Sequence, residues 1–548
     1  MRHVAYETLA KRERRTKHLA AAEYLSQAFA ADEDEVVEVI ASHYVAALDA
    51  APAAEDAGEI RQKAHSMLAR AGGRAASLGA AAEARRYFEQ AAELADDASE
   101  RASLLHRAGD MAARAGDPDS ARRLLNASIE LYEAQGDTHA AARVLFRLAR
   151  VDAFTGHRDE AMARMERAFA VISADEPDEN LALLAARLSF GYWYSGDLER
   201  AAERAELALD IAEPHAYPVA LALALRAKAG IANSRGHAEE ASALLKHALE
   251  IALAHDVLDE AGTCFFWLSD KCFQRDEYIE ALGYLDETLA LTRKRGDQPG
   301  EWSALAERTY PLAMLGRWDE ARKAIEEFTP EQIDAGGLLL SMLQSAVEIH
   351  VQRAELDEAR RVLSLFSRLE DSTDTQELSS YLACRAALRR AEGRLRDALA
   401  DGEAAIEAGR AAFGISAQSS KQGLVEALEA AFALDESAKI EELLALIEGV
   451  PAGTRPPYLD AQAKRFRARL SDDGTGFDAA AARFRELGIV FWLAVTLLEH
   501  AEWLVGRNQA SEAAPLVDEA REIFERLGAA PWLARTAAIV PTHVKATV

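Results

Sequence analysis

Six alanines, at 121, 161, 201, 241, 281 and 321, are separated by five consecutive steps of 40 residues. Each stands in the same short context: a small residue, often Gly, then an acidic residue and the Ala, then a large apolar residue four places on. Gly116-Asp117-Pro118-Asp119-Ser120-Ala121, Gly156-His157-Arg158-Asp159-Glu160-Ala161 and Gly196-Asp197-Leu198-Glu199-Arg200-Ala201 are three copies. Gly236 to Ala241, Asp276 to Ala281 and Gly316 to Ala321 continue the series. Looser copies at Ala84, Ala359, Ala398, Ala438, Ala480 and Ala513, with steps of 33 to 42, bring the total to about twelve units. A fixed period of this length marks an array of supersecondary units in which each packs on its neighbours. It also accounts for the length of 548 residues, about twice the ~250–300 at which one hydrophobic core stops growing.

Each unit reads as two helices joined by a tight turn. Gly falls just past the first helix, where a residue that accepts positive φ ends it cheaply. The acidic residue that follows favours the positive N-terminus of the second helix. Ala then sits where the two helices touch, since a larger side chain would hold the backbones apart. In the unit of Ala161, the three- and four-residue spacings of Leu145, Leu148 and Ala149 repeat in Met165 and Ala168. Glycine and proline together are 45 of 548 residues, about 8%, against a usual share of about 12%. A large β protein needs more turns than that allows. The expected fold is all-α: a right-handed superhelical solenoid of helix hairpins with a period of about 40 residues.

The pattern resembles the tetratricopeptide repeat, with its small residue or Gly on the first helix, Gly at the turn, and Ala and a large apolar residue on the second. Ala108-Gly109, Gly116, Ala121 and Leu125 match one copy, with Ser128 in place of the last Ala; Leu68, Ala71-Gly72, Gly79, Ala84, Phe88 and Ala91 match another. The step is nearer 40 than 34, and the Pro usual near the end of the repeat is mostly missing. That longer period resembles the repeat regions of bacterial signalling ATPases, including regulators related to the maltose-operon activator. The opening Val4-Ala5-Tyr6-Glu7-Thr8-Leu9, with Glu13-Arg14-Arg15, His18-Leu19 and Ile40-Ala41-Ser42-His43-Tyr44, is similar to the junction before the repeats in adenylate/guanylate cyclase–AAA ATPase–tetratricopeptide proteins. The tail, Phe491 to Trp503 and Ala520 to Gly528, resembles their ends. Neither a cyclase nor an ATPase domain is contained in the chain, so no residue inherits their chemistry. The expected division is a junction element over 1–50, a main array over 60–450, a Pro-rich hinge at 451–457, and C-terminal repeats with a cap over 458–540.

Catalytic and cofactor motifs are missing from the sequence. A phosphate loop needs glycines followed by Lys and Ser or Thr, and no such run occurs; Ala71-Gly72-Gly73-Arg74 fits a repeat turn or a close helix contact, and Gly474-Thr475-Gly476 a surface loop. The fourteen His are scattered without the paired spacing that zinc sites use. Cys264 and Cys272 are eight residues apart on one helix face, about 12 Å by helix rise and too far for a disulfide, so they read as packed thiols. His3 and His18 read as packing or basic-surface residues, and Asn126-Ala127-Ser128, a glycosylation triplet, falls inside an expected helix. No catalytic residue, metal or cofactor is expected.

What remains is binding surface. The formal charge of −28 disfavours nucleic acid and anionic lipid. The one basic stretch is the opening, with Arg2, Lys11, Arg12, Arg14, Arg15 and Lys17. It reads either as a dock for an acidic partner or for nucleic acid or, the favoured reading, as the edge of a missing module, in which case Tyr6, Leu9, Leu19 and Leu25 are exposed. No run of ~20 uncharged apolar residues for a membrane span occurs and the opening has no signal peptide, so a cytoplasmic location is expected. In the superhelices that the pattern resembles, first helices line the concave side. Transferred by register, the lining residues are Phe146 and Arg150, then Phe190 and Trp193, then Arg226 and Asn233, then Phe266, Asp270 and Phe273, then Tyr310. Aromatic residues and Arg carry most interface energy; the alternative is that they fill space between repeats, as Tyr192 is expected to. The leading reading is a non-catalytic scaffold or sensor that binds a protein or peptide, with an ATPase/cyclase module as one possible partner, in bacterial signalling. The competing reading is the sensor portion of a longer cyclase or NTPase. A transcriptional regulator is disfavoured because no helix-turn-helix pattern follows the repeats.

Overall fold

The computed structural model describes residues 10–30, 33–154, 158–174, 176–329 and 339–539; the side chains of 33, 146, 150, 153, 154, 158, 159 and 411–413 also lie outside the description. The described residues form twenty-seven α-helices and no strand. Helices α1 (Lys11–Ala28) and α2 (Val37–Ala50) open the chain. Six hairpins follow: α3 (Ala57–Ser77) with α4 (Ala81–Leu94), α5 (Ala98–Arg114) with α6 (Pro118–Ala134), α7 (Thr138–Phe154) with α8 (Arg158–Ile172), α9 (Glu179–Tyr194) with α10 (Leu198–His215), α11 (Pro218–Ser234) with α12 (Ala238–Ala254), and α13 (Leu258–Arg275) with α14 (Tyr278–Arg295). Six more are α15 (Gln298–Met314) with α16 (Trp318–Glu326), α17 (Leu340–Gln352) with α18 (Leu356–Leu365), α19 (Thr375–Ala391) with α20 (Leu395–Phe413), α21 (Gln418–Ala433) with α22 (Ser437–Glu448), α23 (Pro457–Leu470) with α24 (Thr475–Leu487), and α25 (Val490–Val505) with α26 (Ala510–Leu527). Helix α27 (Ala530–Ile539) ends the described chain. Twelve hairpins agree with the count read from the alanine series. None of these helices is long and apolar enough to cross a membrane.

The turn logic is visible in the backbone. Gly116, Gly196, Gly236 and Gly316 take φ between 71° and 85°, the left-handed region in which Gly lacks the Cβ penalty. Asp117 and Asp197 then cap the second helix by accepting the N–H of Ser120 and Arg200, each at 3.1 Å. The fifth residue after each left-handed position is the helix contact. Ala121, Ala201, Ala241, Ala281 and Ala321 are wholly buried there, and Ala161 nearly so; Gly156, in the turn before Ala161, lies outside the described residues. One looser assignment needs correction. Ala438 is exposed, because the left-handed residue of that turn is Asp435 and the fifth position after it is Ile440, which is buried.

First-helix glycines let the paired helix approach closely. A Cβ on Gly72 would stand 2.5 Å from the Phe88 ring, and one on Gly109 would stand 2.7 Å from Leu125. Ser128, at the position where the repeat usually has Ala, is fully buried and donates its hydroxyl to the carbonyl of Ala102 at 2.7 Å, so its polarity is satisfied. Cys264, Cys272 and Cys384 are buried thiols outside any disulfide. In the opening pair, Leu19 and Leu25 are half-buried against the core of α1 to α3; Tyr6 and Leu9 lie outside the described residues.

Two compact units divide the chain. The first holds Met1–Cys264 with Thr288–Glu301, and the second Phe265–Glu287 with Trp302–Val548. Within the second, a fully buried ion pair joins segments 145 residues apart: Lys421 Nζ lies 2.6 Å from Asp276 Oδ1 and donates to the Phe273 carbonyl at 2.8 Å. Asp276 also accepts from the Tyr278 hydroxyl at 2.9 Å and from the backbone N–H of Tyr458 at 2.8 Å. Three donors, making four hydrogen bonds, therefore satisfy what would otherwise be a costly buried polar turn.

Candidate binding surfaces

In the first unit, inner-face side chains converge on the first turn of α13. Asp259 receives Arg147 at 3.3 Å and Arg114 at 3.7 Å, with Arg295 in closer contact still. Beside it Glu260 receives Arg226 at 3.0 Å and Arg187 at 3.3 Å. Burial works against charge on Glu260, but Arg226 and Arg187 outweigh it and hold the carboxyl below its ordinary range. The Arg226 guanidinium also lies 4.2 Å from the Phe190 ring centre. Of the sequence-selected residues here, Phe190 and Arg226 are thus buried in a packed ionic cluster. Trp193 is half-buried, set edge-on to Phe190 and donating Nε1–H to Ser234 at 2.7 Å. Asn233 is also half-buried. The side chains of Phe146 and Arg150 lie outside the described residues. Tyr192 is buried, as expected of a packing residue.

A second feature of the first unit was not anticipated. Helices α6, α7 and α8 leave a groove of about 430 Å³ between them. Its floor is apolar, with Ile129, Ala141, Leu145, Ala168 and Ile172, while Glu130 and Glu133 on α6 face it from one side and Arg164 and Arg167 on α8 from the other. Arg164 is steadied by Asn126 Oδ1 at 3.1 Å, and Val171 on the rim is 51% exposed. Most of these residues are on second helices, which register-based selection of first-helix positions passes over. An apolar residue left exposed on a charged rim is the trace in the sequence that could have pointed here.

In the second unit, Phe273 and Tyr310 are buried and meet edge-on at 5.8 Å, Phe266 is half-buried, and Asp270 is exposed and bonded to Gln274 at 3.0 Å. The eight selected residues whose side chains are described thus split between the two units and between buried and accessible positions. Tyr310 borders a small cavity, about 50 Å³, that is open on one side. First helices α15, α17, α21, α23 and α25 and the start of second helix α16 supply its walls, with Glu348, Glu426, Gln344 and Gln422 among aromatic rings. Arg390 clamps Glu426 through Nε at 2.5 Å and Nη2 at 3.3 Å. Burial, then the charge of Glu426, pushes Glu348 up to about 7; burial likewise raises Glu307, hydrogen-bonded to Ser341 at 2.6 Å, to about 7. Among the described residues one trio has metal-ligating atoms clustered, Cys272, Glu277 and Glu280. Its carboxylates are already engaged by Arg275 at 3.2 Å and the Tyr284 hydroxyl at 3.0 Å.

Residues 100–174, which include the groove, match the tetratricopeptide repeat family. The chain is an all-helical repeat protein that matches the tetratricopeptide repeat over this stretch. No curated protein matches it. Among solved structures it is similar to a signal-transduction ATPase with numerous domains and a tetratricopeptide repeat sensor from Pyrococcus horikoshii, at 15% identity and a TM-score of 0.43 over 72% of this chain. The repeat chain spans 56% of the length of that protein. It is also similar to a Rap protein complexed with competence and sporulation factor (16% identity, TM-score 0.41, 65% of this chain and 99% of that one). Yeast Tom70 is a third (17% identity, TM-score 0.31, 95% and 99%).

Proposed function

We propose that this repeat protein is a non-catalytic binding module whose first unit captures an amphipathic peptide segment of a protein partner. The groove between α6, α7 and α8 carries the reading: an apolar floor offers the area that drives association, and acidic and basic rims set orientation. The complementary segment presents an apolar stripe, with Lys or Arg toward Glu130 and Glu133 and with Asp or Glu toward Arg164 and Arg167. Trp193 and Asn233, with Phe146, Arg150, Phe190 and Arg226 of the same proposed inner-face series, are further proposed contacts within the first unit, and Phe266, Asp270, Phe273 and Tyr310 form a separate proposed set within the second. A role in bacterial signalling, as the sensor or regulatory partner of an ATPase or cyclase module, fits a module that binds without chemistry of its own. In such a role the ligand must favour one conformational state over another.

The test is selection of peptides from a random library on the whole chain, followed by affinity measurement against Arg164→Glu/Arg167→Glu. Enriched peptides with the stated charge pattern, bound at least tenfold more weakly by the double variant while its helical circular dichroism is unchanged, support the proposal. Peptides that bind the variant equally well, or no enrichment at all, overturn it.

A further inference from the structure

The cavity of the second unit holds more acceptors than donors. Glu348 accepts from Gln352 Nε2 at 3.0 Å and is also hydrogen-bonded by Gln422, and among the described residues no Lys or Arg forms an ion pair with it. Gln344, which lines the cavity, is 2% exposed; its Nε2 donates to Gln422 at 3.3 Å, and its buried Oε1 has no hydrogen-bond partner. A buried acceptor left without a donor loses about 1–3 kcal/mol relative to a satisfied one. Glu426 is already neutralised by Arg390, so the uncompensated negative charge belongs to Glu348. Around these groups stand the rings of Tyr310, Tyr458, Trp318 and Trp492, whose faces attract cations. Trp318 and Trp492 both flank Phe491, at 5.4 and 5.2 Å between ring centres, which fixes the aromatic wall.

We propose that this cavity binds a primary alkylammonium group, with Glu348 as counter-ion, Gln344 Oε1 as second acceptor, and the surrounding rings as cation-attracting walls. The volume of about 50 Å³ suits an ammonium head and its first methylene, and the open side passes the rest of the alkyl chain. A carboxylate whose pKa is pushed up to about 7 by burial is one that lacks a cation, and the ligand supplies it. The same chemistry is presented by a free amine and by a lysine side chain. It stands apart from peptide capture at the α6–α8 groove, which is built from other residues.

The experiment titrates the whole chain with n-butylammonium, with Nα-acetyl-lysine methylamide, and with neutral n-butanol, and follows the fluorescence of Trp318 and Trp492. Saturable binding of an ammonium probe, at least tenfold tighter than butanol, is expected. Glu348→Gln, which keeps the acceptor for Gln352, should weaken it at least tenfold with the helical circular dichroism of the unliganded chain unchanged, and Gln344→Met should weaken it severalfold in a chain that retains Glu348. Arg164→Glu/Arg167→Glu should leave it unchanged. Binding by the acetyl-lysine probe as tight as by butylammonium assigns the natural source to a peptide; binding of butylammonium alone assigns it to a free amine. Equal affinity for butanol, or undiminished binding by both cavity variants, overturns the proposal.

Discussion

Lys421→Met tests how the second unit is held together. The substitution keeps the length of the side chain but removes the cation from a pair in which both side chains have no exposure. Asp276 is then left as a buried carboxylate with two donors, Tyr278 and the Tyr458 N–H, and the Phe273 carbonyl loses its only named side-chain donor. Breaking a buried pair on one side costs about 3–5 kcal/mol. At about 2–4 °C per kcal/mol for a unit of this size, the melting temperature should fall by about 6–20 °C. Asp276→Asn should cost a similar amount, by leaving the ammonium unpaired; Asn rather than Ala is chosen because the residue sits at φ 61° and Asn tolerates that region. The double variant removes both charges and should lose less than the sum of the two single losses by at least about 2 kcal/mol. Urea denaturation followed by circular dichroism measures all three chains. Strictly additive losses, or a Lys421→Met chain as stable as the parent, would refute the reasoning.

Other expectations follow from the same packing and charge. Gly109→Ala forces a methyl into Leu125 and should destabilise the first unit by about 1–3 kcal/mol; combining it with Leu125→Val should return part of the loss in a urea titration. Phe190→Ala removes a buried ring beneath Arg226 and should cost about 3–5 kcal/mol, whereas Trp193→Ala, at a half-buried position, should leave the melting curve within about 2 °C of the parent. Glu307 and Glu348 are raised from 4.5 to about 7, so the folded chain holds protons that the unfolded chain has released. Their contribution is complete below pH 4.5 and is lost as pH rises through 7, and the urea midpoint should fall between pH 5.5 and 8. The groups acting on Glu348 are Glu426, Arg390, Gln352 and Gln422, and those acting on Glu307 are Ser341 and Asp270. Glu307→Gln/Glu348→Gln should flatten that dependence, and an unchanged slope would remove these two carboxyls as its cause.

The repeat was legible because its determinants are local. A left-handed residue must end the first helix, and a small residue must stand five positions on, so Gly116 and Ala121 report the hairpin without reference to anything distant. The misassigned unit at Ala438 shows the limit: Asp435 and Ile440 perform the same two tasks with residues that the pattern does not name. Side-chain roles were less legible. Register places Arg226 among the lining residues, but its partner Glu260 lies 34 residues on and 3.0 Å away. Lys421 and Asp276 are likewise joined by packing that no local spacing encodes. The cavity left a fainter trace. Gln344, Glu348 and Gln352 recur every fourth residue on α17, a helix otherwise lined by Leu, Met, Val and Ile, and a polar column at helical spacing inside an apolar helix marks a face turned toward other polar groups.

The claim that the first unit captures a peptide between α6 and α8 is tested most directly by hydrogen–deuterium exchange of the whole chain with and without a selected peptide. The groove predicts slower exchange over residues 126–172, with the largest change on the backbone of α7 and α8, and no such change in Arg164→Glu/Arg167→Glu. Protection confined to other segments, or no protection at a saturating peptide concentration, would contradict it.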